Sequence, residues 1–226
     1  MSGLRILVAD DHEIVRHGIR ALVTAHAGWE VCGEAINGRE AVEKTAEMRP
    51  DIVILDIGMP SLNGLNATRQ IVQANPGTKV LILTMHESDQ IVREVLAAGA
   101  RGYLLKSDAG RDLSTAIEAL HCNKTFFTSR VANMVLETFR RGEPKPEGKL
   151  KDVLTARERE VVQLLAEGKS TKEVAVFLGL SVKTAETHRS NIMRKLDIHS
   201  VSELVLYAVR NNIVQIPQSV TPLSGE

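Results

Sequence analysis

The chain has 226 residues, 43% of them apolar and 25% charged, with Lys+Arg 28 against Asp+Glu 28. That length suits two ordinary domains, the composition excludes a disordered chain, and a net charge of zero means that electrostatics alone does not mark a nucleic-acid binder. Cys32 and Cys122 have no metal-ligand spacing and read as ordinary thiols of a reducing compartment. No apolar run approaches a membrane span and the N-terminus enters a strand without a signal-peptide profile, so a cytoplasmic protein with no membrane partner is expected.

In chain order, the first 120 residues or so alternate between strand and helix. Four short apolar runs, Ile6-Leu7-Val8-Ala9, Ile52-Val53-Ile54-Leu55, Val80-Leu81-Ile82-Leu83 and Tyr103-Leu104-Leu105, read as buried parallel strands, and a further strand spans about Glu30 to Ala35. Between them lie helical patterns. Ile14, Gly18, Leu22 and Val15, Ile19, Val23 recur every fourth residue as one face; Asn37 and Glu40 cap a second helix with Ala41, Val42, Thr45 and Met48 inside, ended by Arg49-Pro50. Ile71 and Val72, then Ile91, Val92, Val95 and Leu96, then Leu113, Ile117 and Leu120 mark three more. Five βα units predict a parallel sheet covered on both faces.

A further amphipathic stretch runs from about Phe126 to Arg141, and Gly142 to Gly148 carries two prolines and no apolar residue, a solvated and fairly stiff linker with reach. Beyond it, Thr155 with Glu158, Ser170 with Glu173 and Ser200 with Glu203 read as capping boxes, and another helix begins near Ser181. The second domain is thus a bundle of four short helices ending near Asn211, followed by a frayed tail from Gln215. The expected boundaries are 1–122, linker 123–149, helical domain 150–212 and tail 213–226.

Five polar residues stand at or just past the strand ends: Asp10, Asp11, Asp56, Thr84 and Lys106. In an open α/β sheet the carboxyl edge is where ligands bind, so one site with three carboxylates, a hydroxyl and an ammonium is predicted. Clustered carboxylates repel unless a cation sits among them, and an all-oxygen set suits Mg²⁺. Lys106 and Thr84 supply what a transferred phosphoryl group needs, a fixed positive charge and a hydrogen-bond donor. Asp56 is the candidate nucleophile, because it ends the most apolar strand and precedes Gly58, Pro60 and Gly64, a loop suited to bringing backbone close to a ligand.

The residues Val8-Ala-Asp-Asp-His12, Leu55-Asp-Ile-Gly-Met-Pro60 with Gly64, Leu83-Thr84 and Gly102-Tyr-Leu-Leu-Lys106 resemble the receiver domain of bacterial two-component response regulators, over residues 4 to about 122. The resemblance implies a flavodoxin-like (βα)5 doubly wound parallel sheet, with Asp56 phosphorylated by a sensor histidine kinase. Asp11, Asp56 and the Gly58 carbonyl would hold Mg²⁺, with Asp10 close by or acting through water. Lys106 would pair with the phosphate, Thr84 would hydrogen-bond to it, and Tyr103 would rotate inward as the switch. Ser107 departs from the family by standing where many receivers have a cis proline; a non-proline cis bond costs about 3 kcal/mol and is not expected. Gly58 and His86 lie near the phosphorylation pocket, where they would bear on the lifetime of the phosphate, but His86 reads first as a solvated loop histidine.

Leu154-Thr-Ala-Arg-Glu-Arg-Glu160, Gly168-Lys-Ser-Thr-Lys-Glu173, Leu180-Ser-Val-Lys-Thr184 and His188 with Lys195-Leu196 resemble an all-α four-helix LuxR-type helix-turn-helix, with Thr171 and Ala185 in place of a frequent asparagine and valine. Together the halves resemble the NarL/FixJ class, transcription factors and not enzymes, which act on double-stranded promoter DNA as homodimers when active, with RNA polymerase a candidate partner. The helix from about Val182 to Leu196 is expected in the major groove, with Ala185, Ile192, Leu196 and His188 toward the bundle. Glu186, Thr187, Arg189 and Ser190 then face bases, while Lys169, Lys172, Lys183, Arg194 and Lys195 suit phosphate contacts. Val201, Leu204, Val205 and Ala208 form a stripe shared between the bundle and a second copy.

Three other classes fit less well. A haloacid-dehalogenase-type phosphatase wants a second aspartate two residues after a first-strand nucleophile, but His12 stands two residues after Asp10. A nucleotide-binding domain wants a glycine-rich loop after that strand. A protein-interaction bundle differs from a DNA reader in a gel shift with genomic fragments.

Overall fold

Six parallel strands in the order β2-β1-β3-β4-β5-β6 form the sheet of the N-terminal unit in the computed structural model, which describes residues 3–85, 89–128, 131–132 and 154–214. The chain divides into two compact units, Met1–Leu150 and Lys151–Glu226. The strands are β1 Leu4–Ala9, β2 Trp29–Ala35, β3 Ile52–Leu55, β4 Lys79–Thr84, β5 Gly102–Leu105 and β6 Phe126–Phe127. Helices α1 Glu13–Thr24, α2 Gly38–Met48, α3 Gly64–Ala74, α4 Asp89–Ala97 and α5 Ala109–His121 connect them. The apolar runs are strands buried on both faces. Ile6, Val8, Ile52, Ile54, Leu81, Leu83 and Leu104 meet α1 and α5, while Leu7, Val53, Leu55, Ile82 and Tyr103 pack toward α2, α3 and α4.

Local chemistry sets the ends of these elements. Asn37 accepts the Glu40 amide at 2.9 Å and its own amide reaches Glu40 Oε1 at 3.0 Å, which fixes the start of α2. Arg49 ends α2 in the left-handed region at φ 48°, a common helix C-terminal conformation, and Pro50 beyond it cannot continue the helix. Gly64 opens α3 so close to β3 that a Cβ there would lie 2.0 Å from the Asp56 carbonyl oxygen, so no other residue fits without moving the loop that carries Asp56.

Two expectations need correction here. Of the two rows on α1, only Val15, Ile19 and Val23 turn inward, whereas Ile14 is 86% exposed. A four-residue repeat cannot say which of two adjacent rows the sheet covers. Phe126 and Phe127 do not open a helix; they form β6, paired parallel to Gly102 and Tyr103. Two residues are too few to show a strand period. The amphipathic stretch beyond Ala132, the linker Gly142 to Gly148, His86 and the tail from Gln215 lie outside the described residues.

The second unit packs α6 Ala156–Ala166, α7 Thr171–Phe177, α8 Val182–Leu196 and α9 Val201–Arg210 around Leu154, Val161, Val162, Leu164, Val174, Ile192 and Leu204. Thr155 with Glu158 and Ser170 with Glu173 form reciprocal capping boxes. The third box is only half formed: Ser200 accepts the Glu203 amide, but the Glu203 carboxylate takes the His199 amide at 2.7 Å. Ile213, assigned to the tail, is 3% exposed within the core, so the bundle runs past residue 212.

Candidate functional site

Strand order brings the polar residues together. β1 and β3 are neighbours whose last residues, Ala9 and Leu55, are in register, so Asp10 and Asp56 leave the sheet side by side. The chain turns from β1 toward β2 on one side and reaches β3 on the other, which makes this crevice the topological switch point. β4 lies beyond β3 and ends at Thr84, in register with Leu105, and Lys106 follows. Asp10 is 1% and Asp56 5% exposed, and Thr84 is fully buried. Gly58 follows Asp56 by two residues and is partly exposed.

Lys106 ties the cluster. Its Nζ lies 2.7 Å from Asp10 Oδ2 and 3.3 Å from Asp56 Oδ2. The Asp10 carboxylate also accepts the His12 amide at 2.9 Å, and its carbonyl accepts from Arg16 Nη1 at 2.9 Å. Burial pushes the Asp56 carboxyl up to about 6; Lys106 pulls the other way, and the charges of Asp10 and Asp11 add to the rise. The Lys106 ammonium is held above its ordinary value because Asp56 and Asp10 outweigh its own burial. Three carboxylates against one ammonium leave the crevice with surplus negative charge.

Asp11 stands more exposed at the mouth, its Oδ1 2.9 Å from His12 Nδ1. One ligand atom each from Asp10, Asp11 and His12 lie within 4.8 Å of one another. His12 is the residue that sequence reasoning missed beside the acidic pair; its place directly after two acids at a strand end was the available signal. The donor set fits a hard divalent cation: carboxylate oxygens crowd together, and exposure at Asp11 leaves room for the waters that Mg²⁺ retains. The peptide before Ser107 is trans.

Tyr103 departs from expectation. It is fully buried in the core with Ile82, Val92 and Val95, so the ring already sits inside and needs no inward rotation.

In the helical unit, Ser181 caps α8 by accepting the Thr184 amide at 3.0 Å. Ala185 and Ile192 are buried, with His188 and Leu196 half-buried, as the periodicity predicts. Lys172, Lys183, Glu186, Thr187, Ser190 and Arg194 are exposed and Lys169 is half-buried. The Thr187 hydroxyl donates to the Lys183 carbonyl at 2.9 Å, and Arg189 reaches Thr171 Oγ1 at 3.3 Å. Lys195 is engaged elsewhere. Its Nζ donates to both oxygens of Glu158 at 2.6 and 2.8 Å, tying the end of α8 to the start of α6, while the side chain stays 40% exposed.

Comparison with known proteins places both units. Residues 6–118 match the response regulator receiver domain and residues 152–208 match the bacterial regulatory proteins of the luxR family. The chain is 38% identical to the transcriptional regulatory protein LiaR of Bacillus subtilis, covering 93% of this chain and 99% of that one. It is 34% identical to the response regulator protein VraR of Staphylococcus saprophyticus, over 94% and 99%. Its structure resembles that of RcsB, solved as two dimers bound to two parallel DNAs, with a TM-score of 0.56, 27% identity and coverage of 91% and 97%. The chain belongs to the LuxR-type, NarL-class response regulators, and is a DNA-binding response regulator built from a receiver and a helix-turn-helix domain.

Proposed function

We propose that Asp56 is the phosphoacceptor of this regulator and that its modification by a sensor histidine kinase switches DNA binding in the cytoplasm. The observation that carries this is the convergence of Asp10, Asp56 and Lys106 at the switch point of the sheet, with one ammonium inside 3.3 Å of both buried carboxylates. An Asp56 oxygen attacks the phosphorus of a phosphohistidine, the P–N bond breaks, and an acyl phosphate forms. Lys106, freed from part of its ion pairing, then meets a phosphoryl oxygen, and the Thr84 hydroxyl donates to another. Asp10, Asp11, Asp56 and the Gly58 carbonyl would hold Mg²⁺, which when bound neutralises the charge that three carboxylates and a phosphate bring together. The chemistry is confined to the protein's own aspartate. Tyr103, packed beside the site strands, is the proposed relay between phosphate and the surface around α4 and β5.

On the helical side, α8 enters the major groove. Glu186, Thr187, Arg189 and Ser190 face base edges, while Lys169, Lys172, Lys183 and Arg194 contact phosphates. Dimerisation presents two such helices to two half-sites. Leu204 and Ala208 are spent within the bundle, but Val201, 48% exposed, and Val205, half-buried one turn further on, share a side of α9 and supply the face for a second copy. The solved RcsB dimers on DNA support this arrangement. RNA polymerase contact follows if the regulator activates its promoters.

Intact mass after incubation with acetyl phosphate tests the acceptor. A magnesium-dependent phosphate adduct on wild type and none on Asp56→Asn is expected, and an equal adduct on the variant would remove Asp56. Sedimentation tests the dimer: a phosphorylated chain that stays monomeric at all concentrations contradicts it.

A further inference from the structure

The sheet has a second edge, and it is not closed. At the amino ends of β4 and β5, between the connections α3–β4, α4–β5 and α5–β6, lies a cavity of about 540 Å³. That is within the range of small-molecule sites. Its apolar lining comes from helix ends that part as they leave the sheet: Val72 of α3, Leu96 of α4 and Leu120 of α5. The turns that roof it contribute Pro76, Gly77 and Gly99, too small to fill the space.

Lys79, Arg101 and Lys124 also line it, and among the described residues no carboxylate does. Among the described residues none of these three side chains makes an ion pair or hydrogen bond. Many cations elsewhere in this unit are matched, Arg5 with Glu30, Arg16 and Arg20 with Glu34, Lys44 with Glu40, and Arg111 with Asp108 and Asp112, whereas Arg49 and Arg93 stand apart from one another without a partner among the described residues. In a chain of balanced charge, three unmatched cations around one apolar hollow concentrate positive potential where low-dielectric walls focus it. An anion gains there without displacing an existing partner. An apolar body attached to it gains the hollow as well.

We propose that this cavity binds a small organic anion, a phosphate or carboxylate head on a compact apolar body, at the sheet edge opposite Asp56. The head meets Lys79, Arg101 and Lys124, and the body rests on Val72, Leu96 and Leu120. β4 and β5 run from this cavity to Thr84 and Lys106, so ligand and phosphoryl group occupy opposite ends of the same two strands.

Amide-resolved NMR titration of the full chain in Mg²⁺-free buffer tests it, with phenyl phosphate, benzoate and, as the uncharged body, phenol. Saturable shifts at Gly77, Gly99 and Thr125 with at least one of the two anions, and none with phenol at the same concentrations, are expected. The head that binds more tightly identifies the natural anion. The Arg101→Gln/Lys124→Gln double variant alters only exposed side chains and should weaken binding about tenfold, the value of two partly screened charge contacts. Its phosphate adduct at Asp56 should equal that of wild type. No saturable shift with either anion, equal binding of phenol, undiminished affinity in the double variant, or shifts confined to Asp10, Asp56 and Lys106 would each overturn the assignment. The adduct measurement is separate, so loss of the cavity leaves the phosphoacceptor reading intact and the reverse.

Discussion

Lys106 and Lys195 make nearly the same contact in two different settings. Each places its ammonium within 2.7 Å of a carboxylate that is less than a tenth exposed. Glu158, the partner of Lys195, accepts that lysine with both oxygens and the Thr155 amide at 2.8 Å, and its carboxyl is held below the usual range: burial raises it, but Lys195 and Thr155 outweigh that. That pair is complete. Lys106 faces Asp10 and Asp56 with Asp11 nearby, so its site keeps an excess of negative charge and a buried carboxyl pushed up to about 6. Contact distance therefore does not separate scaffold from site. Unspent charge does, because it leaves something for a cation and a phosphoryl group to complete.

The sharpest break of that contrast removes each lysine's share in turn. Lys106→Met leaves two buried carboxylates facing each other and should cost about 3–5 kcal/mol in urea unfolding at pH 8 without Mg²⁺. Saturating Mg²⁺ should return part of it. A variant as stable as wild type would mean that the acidic site carries no such excess.

Asp56→Asn should act in the opposite direction. A carboxyl whose folded value is raised from 3.8 to about 6 contributes stability that is fully present below pH 4 and lost as pH rises through 6. Wild type should therefore weaken by about 3 kcal/mol across that window in Mg²⁺-free buffer, and the variant should not. Parallel pH profiles for the two proteins would contradict the electrostatic account.

Glu158→Gln is the smaller and more discriminating change. Glutamine still accepts the Thr155 amide, so the cap survives while the charge pair goes, and the stability loss should stay near 1 kcal/mol. If Lys195 holds α8 in place, DNA affinity falls. If Lys195 were a phosphate contact restrained by Glu158, affinity would rise. The smallest effects belong to single groove contacts: Lys183→Ala should lower the slope of log affinity against log salt by about 0.9 through loss of one phosphate contact. An unchanged slope would remove Lys183 from the interface.

Much of the receiver site was legible because parallel strands announce themselves as apolar runs, and their ends fall on one edge. Asp10, Asp56, Thr84 and Lys106 needed only that geometry. What escaped depended on contacts between distant segments. Whether Ile14 or Val15 faces the sheet, and whether Lys195 is spoken for, are decided by partners remote in sequence. β6 is two residues long and shows no period of its own. Tyr103 was expected to move inward, yet β4 and α4 already enclose it.

The central claim is that phosphate at Asp56 controls how the helical domain binds DNA. The direct measurement is fluorescence anisotropy of the full chain on DNA selected by wild type from a genomic fragment pool, with Mg²⁺ and with and without acetyl phosphate, for wild type and Asp56→Asn. Wild type should tighten on phosphorylation, and the Asp56→Asn protein should keep the unphosphorylated affinity under both conditions. Equal tightening of both proteins, or none in a wild type shown by mass to be phosphorylated, would contradict the account.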